Sequence, residues 1–116
     1  MSGSMSYHAG LAAEEAVARL YSKSGHVIAA QRWRGRGGEI DLITQEGGDT
    51  VFVEVKKADT HAQAAERLGP RQIGRIRDAA SEYMGTLPDG LLSSVRFDVA
   101  LVDATGRIEV LENALH

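Results

Sequence analysis

The stretch from Gly38 to Ala58 constrains this chain more than any other. Two strand-forming runs, Glu39–Gln45 and Thr50–Lys57, flank Gly47-Gly48. A Gly-Gly pair between alternating apolar runs signals a two-residue hairpin, with positive φ expected at both glycines. The turn then fixes the register. Glu39 faces Lys56, Asp41 faces Glu54 and Ile43 faces Phe52 on one side of the ribbon. Ile40 faces Val55, Leu42 faces Val53 and Thr44 faces Val51 on the other.

The second side is a core face. The first places two acids directly opposite one another, where Cβ atoms lie roughly 4.5–5.5 Å apart. Like charges at that distance are destabilising unless a cation sits between them. Two converging carboxylates beside a lysine form a hard-oxygen site suited to Mg²⁺ or Mn²⁺. The rival reading is a solvated polar face.

At 116 residues the chain has the size of one domain. Its net charge of −3 argues against a strongly basic nucleic-acid coat protein. Nucleic-acid binding stays open, because every cation except Lys23, Lys56 and Lys57 is Arg and placement outweighs the sum. No Cys is present, which removes disulfides and thiolate metal sites. Zinc hydrolysis has no support, since His8, His26, His61 and His116 are scattered without ligand-pair spacing. No apolar run approaches the roughly 20 residues of a membrane span, so no membrane partner is expected and a cytoplasmic location is the default. Residues 1–6 are small, polar and without a signal-peptide core, and are expected to be disordered ahead of a single domain over 7–116.

Ala9 to Ser24 reads as a helix with Ala13, Val17, Leu20 and Tyr21 as its apolar stripe and Glu14 at the border. Gly25 is placed as its stop. His26 to Arg34 suits a first strand, and Arg32, Arg34 and Arg36 would share a face if it continued. Arginines beside an acidic metal site fit phosphate binding; a solvated strand edge is the alternative. Gly35, Gly37 and Gly38 bend the chain into the hairpin. Asp59 to Leu68 fits a short helix or a loop over the site. Gly69-Pro70 opens a helix to about Gly85, with Arg71, Gln72 and Arg75 near its anion-favouring end. After a turn at Leu87–Gly90, Val95–Asp103 and Arg107–Leu111 read as the last two strands, with Asp98 beside Arg96 as a structural ion pair in preference to a further site acid. The order is α-β-β-β-α-β-β: an α/β or α+β domain whose helices pack on a mixed sheet.

The segments Gly10-Leu-Ala-Ala-Glu14-Glu15-Ala, Gly38-Glu39-Ile40-Asp41-Leu42-Ile43, Val51-Phe52-Val53-Glu54-Val55-Lys56 and Arg96-Phe97-Asp98-Val99 together resemble the YraN family of small uncharacterised bacterial proteins. The resemblance runs from about Tyr7 to Leu111. That family is similar to a minimal PD-(D/E)XK nuclease with a restriction-endonuclease-like core, related in fold to Holliday-junction resolvases. The resemblance implies a Mg²⁺- or Mn²⁺-dependent endonuclease acting on DNA, with branched or structured DNA as one substrate class. Asp41 matches the first motif acid, although Ile40 stands where the motif name has Pro. Glu54 and Lys56 match the (D/E)XK element, and Glu14 matches a first-helix acid aimed at the metal. The implied metal ligands are Asp41, Glu54 and the Val55 carbonyl, with Lys56 on the attacking water and Glu39 holding Lys56. The implied nucleic-acid contacts are Arg34, Arg36, Lys57, Arg71, Gln72 and Arg75. Two departures touch that gripping side. Many relatives carry a basic residue two positions after the motif lysine, where this chain has Ala58, and Lys where it has Gln72. Resolvase-like folds are often dimers, and the analogy extends to a homodimer here. A catalytically silent nucleic-acid-binding module is the alternative function.

Overall fold

A computed structural model describes the backbone of residues 2–115 and the side chains of residues 8–115. Of residues 1–6, expected to be disordered, Met1 lies outside the described residues and the backbone of 2–6 belongs to the first helix. Helix α1 (Ser2–Lys23) buries Ala13, Val17, Ala18 and Tyr21. Leu20, expected in that stripe, is 36% exposed, and Ala18 takes its place. The buried arc is thus rotated toward Ala18, which moves Glu14 from its border to its middle. This rotation aims a carboxylate at the sheet.

Five strands follow: β1 (Val27–Arg34), β2 (Glu39–Glu46), β3 (Asp49–Lys57), β4 (Val95–Val102) and β5 (Ile108–Leu111). They lie in sequence order in one sheet, with β3 and β4 parallel and the other pairs antiparallel. A parallel pair needs a long crossover. Here it holds α2 (His61–Glu66), α3 (Pro70–Met84) and a 3-10 turn at Gly90–Leu92. Thr60 caps α2, its hydroxyl accepting the Gln63 N–H at 3.1 Å. Pro70 occupies the first turn of α3 after Gly69, as the sequence predicts. The mixed sheet with flanking helices is the architecture expected.

The sheet is covered on both faces. Leu42, Val51, Val53, Ala100 and Val102 pack with α1. Ile43 and Phe52 pack with Ala79, Ala80 and Met84 of α3, while Val99 and Leu101 meet Ala64 of α2 and Ile76 of α3. Double coverage explains why consecutive residues, Leu42 and Ile43 in β2 and Val51, Phe52 and Val53 in β3, are all buried. Phe52 stacks on Phe97 at 5.3 Å and meets Tyr83 edge-on at 5.9 Å. Emptying that position to alanine would cost about 3–5 kcal/mol.

The hairpin register holds from Glu46↔Asp49 to Leu42↔Val53. Only Gly47 of the turn pair has positive φ, +60°, in place of the two expected. That fits a II′ turn, which needs the left-handed region at its first central residue alone. Beyond Leu42 the ladder stops, so Ile40–Val55, Asp41–Glu54 and Glu39–Lys56 are not hydrogen-bonded partners. Ile40 also leaves Leu42's face and packs in the α3 cluster, whereas Val55 stays with α1. Strand β1 changes face at the same level. Its Arg32 has φ +53°, and Ala30 and Trp33, three residues apart, both reach the α3 side. Ala30 pairs with Ile43 and Trp33 with Ile40, so the two strands switch together.

Candidate functional site

The site lies where β2 and β3 part. Asp41 Oδ2 accepts the Val55 N–H at 2.8 Å, so a side chain replaces the missing ladder bond. On a strand a residue's N–H and C=O point to the same side, so the Val55 carbonyl is directed toward Asp41 as well. Glu54, one residue back, points to the α3 face. Gln72 of α3 donates its amide to Glu54 Oε2 at 2.7 Å, and Lys56 Nζ lies 3.4 Å from the same oxygen. Asp41, Glu54, Glu39, Gln72, Arg75 and Gly38 line a cavity of about 430 Å³.

Each acid is therefore anchored through one oxygen. Glu54 Oε1 is buried with no hydrogen-bond partner among the described residues, and so is Glu14 Oε1. Glu14 reaches the Asp41 carboxyl from α1, and Asp41 in turn lies against Glu54. Facing carboxylates are all acceptors, so they bond only through a proton or a cation. Burial pushes Glu54 up to about 8, with the Asp41 charge adding and Lys56 opposing. Glu14 rises to about 7 for the same first reason, with Asp41 adding and Arg32 opposing. Asp41 is also raised by burial, against the Val55 N–H that favours its charged form.

The orphaned Glu54 oxygen and the crowded acids fit a divalent cation. Among the described residues, no three or more His, Asp or Glu side chains converge as a ready-made cage. A cation here would rest on two carboxylates and a carbonyl and keep water in its remaining positions, which suits Mg²⁺.

The other expected residues divide into two groups. Glu39, expected to hold Lys56, instead meets Arg32 at 3.7 Å and Arg34 at 3.6 Å. Arg32 also reaches Glu14 at 3.8 Å. Strand β1 ends at Arg34, so Arg36 does not extend the expected arginine face; it sits in the bend, its N–H on Glu82 Oε1 at 2.8 Å. The arginines of β1 thus spend their charge on site acids. Gln72 is committed to Glu54, Arg75 lines the acidic cavity, and Arg71 is exposed in the first turn of α3. Lys57 lines a neighbouring cavity together with Arg67, which sequence reasoning did not single out. Asp98 lies away from the site's hydrogen bonds. It is 1% exposed and accepts two bonds from Arg96, one from Tyr21 and one from the Asn113 N–H.

Gly38 sets the site's width. A Cβ there would lie 3.0 Å from the Arg75 carbonyl oxygen, so any side chain would press the β1–β2 bend and α3 apart by a few tenths of an ångström.

Comparison with known proteins places the site residues in a family. The model of uncharacterised protein family UPF0102 matches residues 13–102, which include Glu14, Asp41, Glu54 and Lys56. A UPF0102 protein of Cereibacter sphaeroides strain KD131 is 60% identical over 114 residues, covering 98% of this chain and 97% of its own. A UPF0102 protein of Roseobacter denitrificans is 53% identical over 113 residues, covering 97% of this chain and 88% of its own. No helix among the described residues is long and apolar enough to cross a membrane. The chain belongs to uncharacterised protein family UPF0102.

Proposed function

We propose that this protein is a Mg²⁺-dependent endonuclease of the PD-(D/E)XK type, hydrolysing phosphodiester bonds in DNA. One observation carries the reading: a splayed hairpin presents Asp41 and Glu54 with anchored outer oxygens and a buried, unbonded Glu54 Oε1 beside Lys56. Asp41, Glu54 and the Val55 carbonyl would hold the cation. Bound there, it supplies charge stabilisation for a phosphate and a water of lowered pKa.

The chain's own groups do the rest. The Val55 N–H and the Gln72 amide fix the two carboxylates before any ligand arrives, which is preorganisation rather than induced assembly. Lys56 Nζ, with its side chain 16% exposed, donates to a water or to a phosphate oxygen at the cavity's edge. Glu14 accepts a proton or orients a water on the far side of Asp41. Arg75 faces the same cavity and gives a phosphate its bidentate partner.

The alternative, a nuclease-shaped binding module without turnover, draws on the pairing of Arg32 and Arg34 with Glu14 and Glu39. That pairing weakens substrate grip and leaves the metal side intact. A cleavage panel separates the two readings. Single-stranded, duplex, flapped and four-way-junction DNA are incubated with Mg²⁺ or Mn²⁺ and wild-type, Asp41→Ala or Lys56→Ala protein. Cleavage by wild type alone is expected. Cleavage that survives both substitutions would remove the catalytic assignment, and binding without cleavage in either metal would establish the binding module.

A further inference from the structure

A cavity of about 480 Å³ lies beside the acidic one rather than over it. It opens at the carboxyl end of β3, next to the turn that follows β4. Val55, Lys56, Lys57 and Ala58 supply one wall, and Ala104 marks the β4 side. Ligand sites in parallel sheets form outside such strand ends. Ala9 and Gly10 of α1 close another side, and Arg67 enters from the end of α2.

Two features distinguish this cavity. Ala9, Gly10, Ala58 and Ala104 make up much of its lining, so a bulky group can approach the backbone closely, and among the described residues Asp59 is the one acid that lines it. Its cations are also unspent. Neither Lys57 nor Arg67 takes part in an ion pair among the described residues, whereas Arg32 and Arg34 are paired with acids. These two cations outnumber the one lining acid, Asp59, and a concave space of this size matches a nucleotide's phosphate and sugar.

We infer that this cavity is a second subsite of the nuclease centre, holding the phosphate of a nucleotide that flanks the bond at Asp41 and Glu54. The inference rests on the proposed nuclease reading, and Lys56 links the two cavities: it lines this one and its Nζ lies 3.4 Å from Glu54 Oε2 of the acidic one. Lys57 and Arg67 hold the flanking phosphate, and the Gly10 edge admits its sugar. A strand bound in both places is gripped across one end of β3, which sets which bond meets the carboxylates. The grip comes from α2 and β3, and so does not need the paired arginines of β1.

The test uses thymidine 5′-monophosphate titrated into the full chain in EDTA, read by amide chemical shifts. Shifts are expected at Lys57, Arg67 and Gly10, with affinity falling about tenfold in Arg67→Glu. Arg67 is exposed, so this variant is expected to fold, and its stabilisation by Mn²⁺ should match wild type. Retained nucleotide affinity in both Arg67→Glu and Lys57→Glu would overturn the subsite. Shifts confined to the Asp41 and Glu54 region, or the absence of any binding, would overturn it too. Loss of Mn²⁺ stabilisation in wild type would instead count against the nuclease reading, which keeps the two failures distinguishable.

Discussion

The carboxylate of Asp41 stands in for a backbone carbonyl opposite Val55, accepting its N–H at 2.8 Å where the β2–β3 ladder ends. This substitution lets two strands separate without leaving a buried donor unpaired, which would cost about 1–3 kcal/mol. Asp41 thereby serves both the fold and the site. Asp41→Asn is expected to keep most of the stability, because its carbonyl oxygen still accepts from Val55. Asp41→Leu should lose about 1–3 kcal/mol, measurable as a shift of the urea midpoint. Equal stability of the two variants would contradict the anchoring role.

Metal-free protein should lose stability as pH rises from 5 to 8. Glu14 and Glu54 titrate near 4.5 when unfolded and are raised to about 7 and about 8 in the fold. Between those values the native state binds more protons than the unfolded state, so stability falls with pH across that window. Below about 4.5 both states are protonated at these groups, and their penalty vanishes. Added Mg²⁺ should flatten the slope, since a cation replaces the shared protons. Melting temperatures measured across this range, with EDTA or with Mg²⁺, check both parts.

Lys56→Ala should lower cleavage by roughly 10²–10⁴-fold if its ammonium donates to the reacting water or phosphate. Its removal takes away a charge that opposes the rise of Glu54, so half-maximal Mn²⁺ binding should move to higher pH. Single-turnover rates and a Mn²⁺ titration at several pH values read the two effects separately. An unchanged rate in Lys56→Ala would remove it from the chemistry.

Gly38→Ala should act at a distance from the acids. Its Cβ would press on the Arg75 carbonyl at 3.0 Å and push α3 outward, at about 1–3 kcal/mol for overpacking. The Gln72 amide then leaves Glu54, and metal affinity falls without any change of ligand. Exchange of the Gln72 side-chain amide protons is the direct readout. Slow exchange retained in the variant would contradict the displacement.

Asp98→Ala tests the opposite end of the argument. It takes the near partner from half-buried Arg96, which keeps Glu46 at 3.9 Å, and removes the carboxylate to which the Tyr21 hydroxyl and the Asn113 N–H donate. It should cost about 1–3 kcal/mol for each buried donor left unpaired, with Mn²⁺ affinity unchanged in the folded fraction.

Much of the hairpin is legible from Gly47-Gly48, because a two-residue turn dictates every pair up to Leu42↔Val53. The parting of the strands is not legible there. It accompanies a positive φ at Arg32 in β1, and no local signal marks a non-glycine residue for that region. For the same reason strict alternation puts Ile40 on Leu42's face, where the structure does not. Glu14 is hard to place because its helix presents two candidate arcs, and only the packing of Ala18 selects one. Arg67 carries no pattern at all: it reaches the cavity because α2 stops beside the end of β3. The pairing of Glu39 with Arg32 and Arg34 likewise follows from β1–β2 register, which a hairpin argument about β2 and β3 does not address.

The central claim is that Asp41 and Glu54 hold one divalent cation, and the most direct measurement is Mn²⁺ binding by isothermal titration calorimetry at pH 8. Wild type should bind one Mn²⁺ with release of protons, as the raised carboxyls of Glu14 and Glu54 ionise. Glu54→Gln and Asp41→Asn should each weaken that binding at least tenfold, while Glu46→Gln leaves it unchanged. Equal Mn²⁺ affinity in wild type and both site variants would contradict the account.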